Sequence, residues 1–366
     1  MKVGLVLGAG GVMGGAWLTG GLHALATETG WDPAEADYVV GTSAGSMMSA
    51  LLVSGVPPWF MVAHSAGESF DGLEDARGRP AREANRSAGA TFGLHRGLPP
   101  LGPGSWKLIA RSLSAPNSHR PAALLAGWLP RGVISTEPLK DTIRRVVPSG
   151  WAPHPNLWVV ACDYATGRRV PFGREDAPKA DLADAVAASC AIPGFYHPVT
   201  IAGRRYVDGG LWSTSNLDIL RGAGLDLVIC LNPTSSLHPP HAWNPAERLA
   251  GGMRKLSGRR LGSEAKKLRA AGTEVVLIQP TGDDHDAMGP NLMSTRNRNP
   301  VIQTAIRTVR EQLREPAVAE LLAGLPEGNP YRVRRPDGPP SSWPEDLLPG
   351  RRPRRETPPA RAARGV

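Results

Sequence analysis

Cysteine is scarce in this 366-residue chain: only Cys162, Cys190 and Cys230 occur. An odd, widely spaced set supports neither a disulfide framework nor a C-x-x-C metal pattern, and a reducing cytoplasm is the plainer setting. Long apolar runs are missing too. No stretch approaches the ~20 uninterrupted apolar residues of a membrane span, so the chain reads as soluble. Met1 to Leu7 carry one basic residue and lead into glycine-rich turns, which predicts a first strand and not a secretory leader. No internal repeat occurs.

Glycine and proline are plentiful, at 43 and 36 residues, and imply long irregular connections. Hydrophobic residues make up 41% and charged residues 20%, enough for a sizeable core. The net charge of +9 is unevenly placed. Residues 331–366 carry nine Arg against four acids, and residues 248–269 carry eight Lys or Arg against Glu264 alone. The rest of the chain is slightly acidic, so the basic character belongs to two segments and not to the fold.

Strand-like apolar runs recur at 3–7, 38–40, 157–162, 226–231 and 274–278, with helix-like stretches such as 15–29, 45–54 and 180–190 between them. This alternation predicts an α/β fold of three layers, α/β/α, around a mostly parallel sheet. Residues 71–131 are rich in Gly, Pro, Arg and Ser, with a helical pattern near 105–114, and read as an insertion or cap within a domain over 1–330. Residues 331–366 hold eight prolines and nine arginines with little to bury, and read as a disordered tail.

The chemistry begins at Gly41-Thr42-Ser43-Ala44-Gly45. The pattern follows the apolar run Tyr38-Val39-Val40 and precedes a helix-compatible stretch, the context a nucleophile elbow requires. Such a turn is so tight that the residues two before and two after the serine, Gly41 and Gly45, carry no side chain. It thrusts the Ser43 hydroxyl away from the sheet at a helix start, where the dipole favours developing negative charge.

A second glycine-rich turn, Gly8 to Gly15, follows the first strand, and its N–H groups can converge on a phosphate or an oxyanion. As a dinucleotide fingerprint it is incomplete: Met13 stands where the third glycine belongs, and the second strand ends in the serine elbow instead of an acid. A third feature is Tyr206-Val207-Asp208-Gly209-Gly210, an aspartate leaving a short strand. Asp-Gly alone is ordinary turn chemistry. Here Tyr206, Val207, Leu211 and Trp212 surround the carboxylate with the apolar material that a carboxylate base needs.

An anion-holding loop, a serine elbow and a distal Asp-Gly-Gly together resemble the patatin-like phospholipase family, over roughly residues 3–233. Ala188 to Phe195 and Ala161 to Gly167 are similar to that family as well. The resemblance implies a Ser–Asp dyad with Ser43 as nucleophile and Asp208 as base, and an oxyanion hole from the N–H groups of Gly10, Gly11 and Val12. It implies hydrolysis of carboxylic esters of lipids, without metal or organic cofactor. The chain departs from the family at Ala9, where a glycine is usual, and at Met13, where a Lys or Arg is usual. A backbone oxyanion hole tolerates both changes, but no charge at the loop can be claimed.

Two alternatives remain at this level. The glycine loop could serve a nucleotide-binding or non-catalytic protein. A Ser–His–Asp triad could recruit His238, His241 or His285, although the elbow comes early for an α/β-hydrolase and no HGGG-type loop is present. His285 among Asp283, Asp284 and Asp286 reads as a solvated acidic turn before it reads as a metal site. Residues 248–269 place Leu249, Met253, Leu256 and Leu261 near helical spacing among basic side chains. They suit either an anionic membrane surface, with the chain peripheral to it, or a solvated face. The Arg-rich tail lacks any nucleic-acid motif, so no specific nucleic acid is expected. The oligomeric state is left open.

Overall fold

A computed structural model describes residues 1–65, 92–95, 102–114, 121–236, 245–296 and 298–329, with the backbone alone at 112, 114, 121–124, 245–250 and 253. The helices are α1 (Gly11–Thr29), α2 (Ala44–Val53), α3 (Pro58–Ser65), α4 (Trp106–Ser114), α5 (Pro121–Trp128) and α6 (Glu137–Arg144). They continue with α7 (Leu182–Ser189), α8 (Pro245–Arg269), α9 (Gly282–Met288), α10 (Arg298–Leu313) and α11 (Pro316–Leu322). The strands are β1 (Val3–Leu7), β2 (Tyr38–Thr42), β3 (Leu157–Asp163), β4 (Arg169–Phe172), β5 (Val199–Ile201), β6 (Arg204–Asp208), β7 (Leu227–Leu231) and β8 (Glu274–Ile278).

All eight strands among the described residues join one sheet. Its centre is parallel, β3-β2-β1-β7-β8, because each strand returns through a helix. β4, β5 and β6 add antiparallel pairs at one end. Near-continuous Val, Leu and Ile runs mark strands covered on both faces. Leu5, Leu7, Val39, Val159, Ile229 and Leu231 point into a large cluster with α1, α2, α7 and α10. Their neighbours Val6, Val40, Val160, Val228 and Cys230 point the other way, onto Leu261, Ala265 and Leu268 of α8 and the short turn Leu217–Leu220. The period-two switch thus builds the two outer layers of the three-layer fold.

One detail of register positions the site. β4 occupies Val159 to Cys162 along one edge of β3. The other edge is shared: β2 runs parallel to β3 and ends with Thr42 opposite Val160, while β6 runs antiparallel and ends with Asp208 opposite Ala161. Two strand ends therefore meet head-on, and the residues at those ends, Ser43 and Asp208, are brought together from 165 positions apart.

Of the cap suggested at 71–131, α4 and α5 are described. They rest on Cys162, Tyr164 and Val207 through Leu108 and Ala126. Residues 331–366, His238 and His241 lie outside the described residues. Residues 248–269 form part of the continuous helix α8 despite four glycines. Leu261 is buried against the sheet and Leu256 is exposed, while the side chains of Leu249 and Met253 fall outside the description. Among the described residues no single helix is long and apolar enough to cross a membrane.

Candidate active site

Ser43 sits between β2 and α2 with φ 53° and ψ −121°, a left-handed conformation that a side-chain-bearing residue adopts only under constraint. The glycines on either side explain how the constraint is met. A Cβ on Gly45 would run into the carbonyl oxygen of Leu7, and one on Gly41 would lie 2.5 Å from Ser46 Cα. Backbone of α2 thereby packs directly on β1. The turn is further tied by Ser46, whose N–H and Oγ both donate to the Ser43 carbonyl, at 2.8 and 2.7 Å.

The Ser43 hydroxyl donates to Asp208 Oδ2 at 2.7 Å, and both residues are buried. The second carboxylate oxygen, Oδ1, accepts the Gly210 N–H at 2.7 Å, while the Asp208 N–H donates to Ala191 O. Burial raises the Asp208 carboxyl from the usual carboxylate range to about 6, against the lowering effect of the hydrogen bonds from Ser43 and Gly210. A carboxylate with that proton affinity is suited to take a hydroxyl proton near neutral pH.

The glycine loop lines the same cavity as the serine, through Gly11 and Val12. Gly11, at φ 62°, begins α1. A Cβ there would stand 2.8 Å from Leu292 O, so glycine is required by space as well as by conformation. The neighbouring N–H groups are engaged: Ala9 donates to Thr214 O, Met13 to Leu292 O and Gly14 to Gly10 O. Among the described residues no acceptor faces the N–H groups of Gly10, Gly11 and Val12. They are free donors at a helix N-terminus. Ala9 is accommodated in this buried turn, and Met13 is fully buried, its side chain in the core instead of at the site.

Ser43, Gly11 and Val12 open on one cavity of about 120 Å³. Ala16, Met47, Met48, Leu139, Ile192 and Tyr196 make its walls apolar. Met293, Arg298 and Ile302 close the far side. Arg298 is the single charged residue of this lining, and among the described residues no carboxylate pairs with it.

Several supporting residues escaped the sequence reading. Ser189 Oγ accepts the Ser43 N–H at 2.9 Å and donates to Val160 O at 2.6 Å, tying the elbow to β3. Asn216, fully buried at φ 52°, donates to Thr42 Oγ1 at 3.1 Å and to Ser213 O at 2.6 Å. It links the residue before the serine to the turn after the aspartate. Asn tolerates left-handed backbone, so this position has a physical reason, but an isolated Ser or Asn in the sequence carries no such signal. The histidine alternative finds no support in the geometry: Asp208 is held by Ser43 and Gly210, and no described histidine bonds either partner of the pair. His285 is not in a solvated acidic turn. It is buried in α9, where Asp284 caps the helix with Thr281 and accepts from Thr308, and Asp283 pairs with Arg307.

Fold and site together define a three-layer α/β protein with a hydrogen-bonded serine–carboxylate pair beside an apolar pocket. A family model for patatin-like phospholipases matches residues 5–221, more than half of the chain, and the chain belongs to that family. Over 131 residues it is 31% identical to the uncharacterized protein YjjU of Escherichia coli (strain K12). That alignment covers 34% of each chain, so the match spans about a third of the relative's length. The structure of VipD from Legionella pneumophila is similar at a TM-score of 0.42 and 15% identity, over 88% of this chain and 67% of that one.

Proposed function

We propose that the protein is a lipid acyl hydrolase working through a Ser43–Asp208 dyad, with the free N–H groups of Gly10, Gly11 and Val12 as its oxyanion hole. The observation that carries the reading is the 2.7 Å hydrogen bond from Ser43 Oγ to a buried, proton-hungry Asp208. Asp208 takes the hydroxyl proton as Ser43 Oγ attacks the ester carbonyl. The oxyanion of the tetrahedral intermediate is held by backbone donors that need no reorganisation. The ester C–O bond then breaks, and the leaving alkoxide receives the proton from Asp208. Water attacks the acyl-enzyme with Asp208 again as base, releasing the acid and returning the proton to Ser43.

The pocket supports a lipid-like acyl group against its apolar walls, and Arg298 suits an anionic group near the ester, as on a phospholipid. In this reading residues 1–330 form the catalytic unit, with 331–366 as a tail beyond it. The test is hydrolysis of p-nitrophenyl esters, with labelling by a fluorophosphonate. Ser43→Ala is expected to abolish labelling and lower kcat/KM by at least ~10³-fold, and Asp208→Asn by at least ~10²-fold. Folded variants that keep the parent rate would refute the dyad.

A further inference from the structure

Two helices of this chain carry apolar side chains that the fold does not use. On α4 the side chains of Leu108 and Ile109 face inward, while Trp106, Ala110 and Leu113, spaced i, i+4 and i+7, form an outward stripe. Trp106 is 68% and Leu113 74% exposed. α5 repeats the pattern: Ala126 is buried, but Leu125 and Trp128 are 68% and 54% exposed, and Leu129 continues the stripe. The two helices are joined where Gly127 abuts Leu108 and Ile109. Two tryptophans and three leucines in the open are more than an isolated apolar residue on a surface, and such a patch marks a contact.

The sequence around it carries charge of one sign. Between Glu83 and Glu137 the sequence has no acidic residue, while Arg86, Arg96, Lys107, Arg111, Arg120 and Arg131 all fall there. Lys107 and Arg111 flank the α4 stripe itself. An amphipathic tryptophan and leucine face with basic flanks is the composition that lies in a membrane interface, rings and chains among the acyl carbons and cations among anionic headgroups. The helices also ride on the strand that carries the site. Leu108 and Ala126 pack on Val207, the residue before Asp208, and Tyr164 Oη donates to Ala126 O at 2.9 Å. By contrast α8, the other basic segment, turns Leu261, Ala265 and Leu268 into the core, and among its described side chains Leu256 is the one large apolar group that is exposed.

We infer that the exposed face of α4 and α5 is a docking surface for an anionic lipid bilayer, holding the Ser43–Asp208 site at the interface where its substrate resides. The choice of a lipid surface as occupant rests on the acyl-hydrolase reading. Binding is therefore measured without turnover, on the full chain carrying Ser43→Ala, by co-flotation with vesicles. The vesicles are equimolar phosphatidylglycerol and phosphatidylcholine, or phosphatidylcholine alone. The expected result is binding to the anionic vesicles that drops at least tenfold in Trp106→Ser/Leu113→Ser/Leu125→Ser, and weaker binding to the neutral ones. In the Ser43 background, that triple variant keeps the parent rate on soluble p-nitrophenyl acetate. A second measurement needs only a conservative change: brominated acyl chains quench the tryptophan emission, and Trp106→Phe/Trp128→Phe loses most of that quenching. Absence of vesicle binding, or binding and quenching indifferent to these substitutions, overturns the inference. So does a dimer, seen by light scattering, that the triple variant dissolves, because the face would then join two copies. If the parent hydrolyses no ester yet binds vesicles through this face, the functional reading fails and the docking surface stands.

Discussion

Asp208 has conflicting demands placed on it. Burial makes it a better base by raising its proton affinity to about 6, and the same burial makes its ionised form costly to the fold. The sign follows from linkage. The carboxyl binds its proton more tightly in the folded chain than in the unfolded one, where it titrates near the ordinary 3.8. Its contribution to stability is fully present below that value and is lost as pH rises through about 6, a loss on the order of 3 kcal/mol. Two outcomes are expected. The kcat/KM of the parent should fall about tenfold per pH unit below 6. Asp208→Asn, which keeps the shape and removes the charge, should raise the melting temperature at pH 8 and change it little at pH 4, while abolishing turnover. Calorimetry at the two pH values checks this, and an equal shift at both would mean that the buried charge is not the source of the cost.

The elements show which parts of the molecule were legible in advance. All five apolar runs read from the sequence are strands, because a strand covered on both faces is written as an unbroken Val, Leu and Ile run. The antiparallel strands β4 and β5 gave no such signal: Arg169 to Phe172 and Val199 to Ile201 are short and mixed, held by β3 and β6 respectively more than by their own composition. The elbow was legible since its glycines are imposed by local geometry. The proximity of Asp208 to Ser43 was readable only through family resemblance, because it depends on two strands sharing one edge of β3. Four glycines weaken α8 by propensity, yet it is one continuous helix. Leu261, Ala265 and Leu268 against the sheet, with Glu264 accepting from Ser215 and the Leu217 N–H, outweigh that propensity. The two kinds of glycine can be separated experimentally. Gly262→Ala in α8, where an added Cβ meets nothing within 4 Å, should stabilise the protein by about 0.5–1 kcal/mol. Gly45→Ala drives a methyl into Leu7 O and should destabilise it by at least ~2 kcal/mol. Urea unfolding of both variants distinguishes a glycine kept for space from one merely tolerated.

At the scale of the whole molecule, the family-matched residues 5–221 are not a complete structural unit. β1, the strand that leads into the glycine loop, is flanked by β2 on one side and by β7 on the other, and β7 begins only at Leu227. Val3 to Leu7 pair along their whole length with Leu227 to Leu231, and all ten residues are buried. A chain ended at Arg221 would bare that edge and uncover the face of α1 that packs on α10. It would also lose Leu292, whose carbonyl fixes the Met13 N–H, and with it Met293, Arg298 and Ile302 from the pocket wall. The expected product is insoluble or binds a hydrophobic dye without near-ultraviolet circular dichroism, whereas a chain ended at residue 330 melts like the parent. A subtler variant asks whether this distant wall only supports the pocket or reads the substrate. Arg298→Ala leaves every described hydrogen bond in place, so its melting temperature should stay within about 2 °C of the parent. If the guanidinium faces an anionic substrate group, KM for a phospholipid rises about tenfold while the rate on a neutral p-nitrophenyl ester is unchanged. An equal loss on both esters would reduce Arg298 to a structural part of the wall and return the question of headgroup preference to the remaining, wholly uncharged lining.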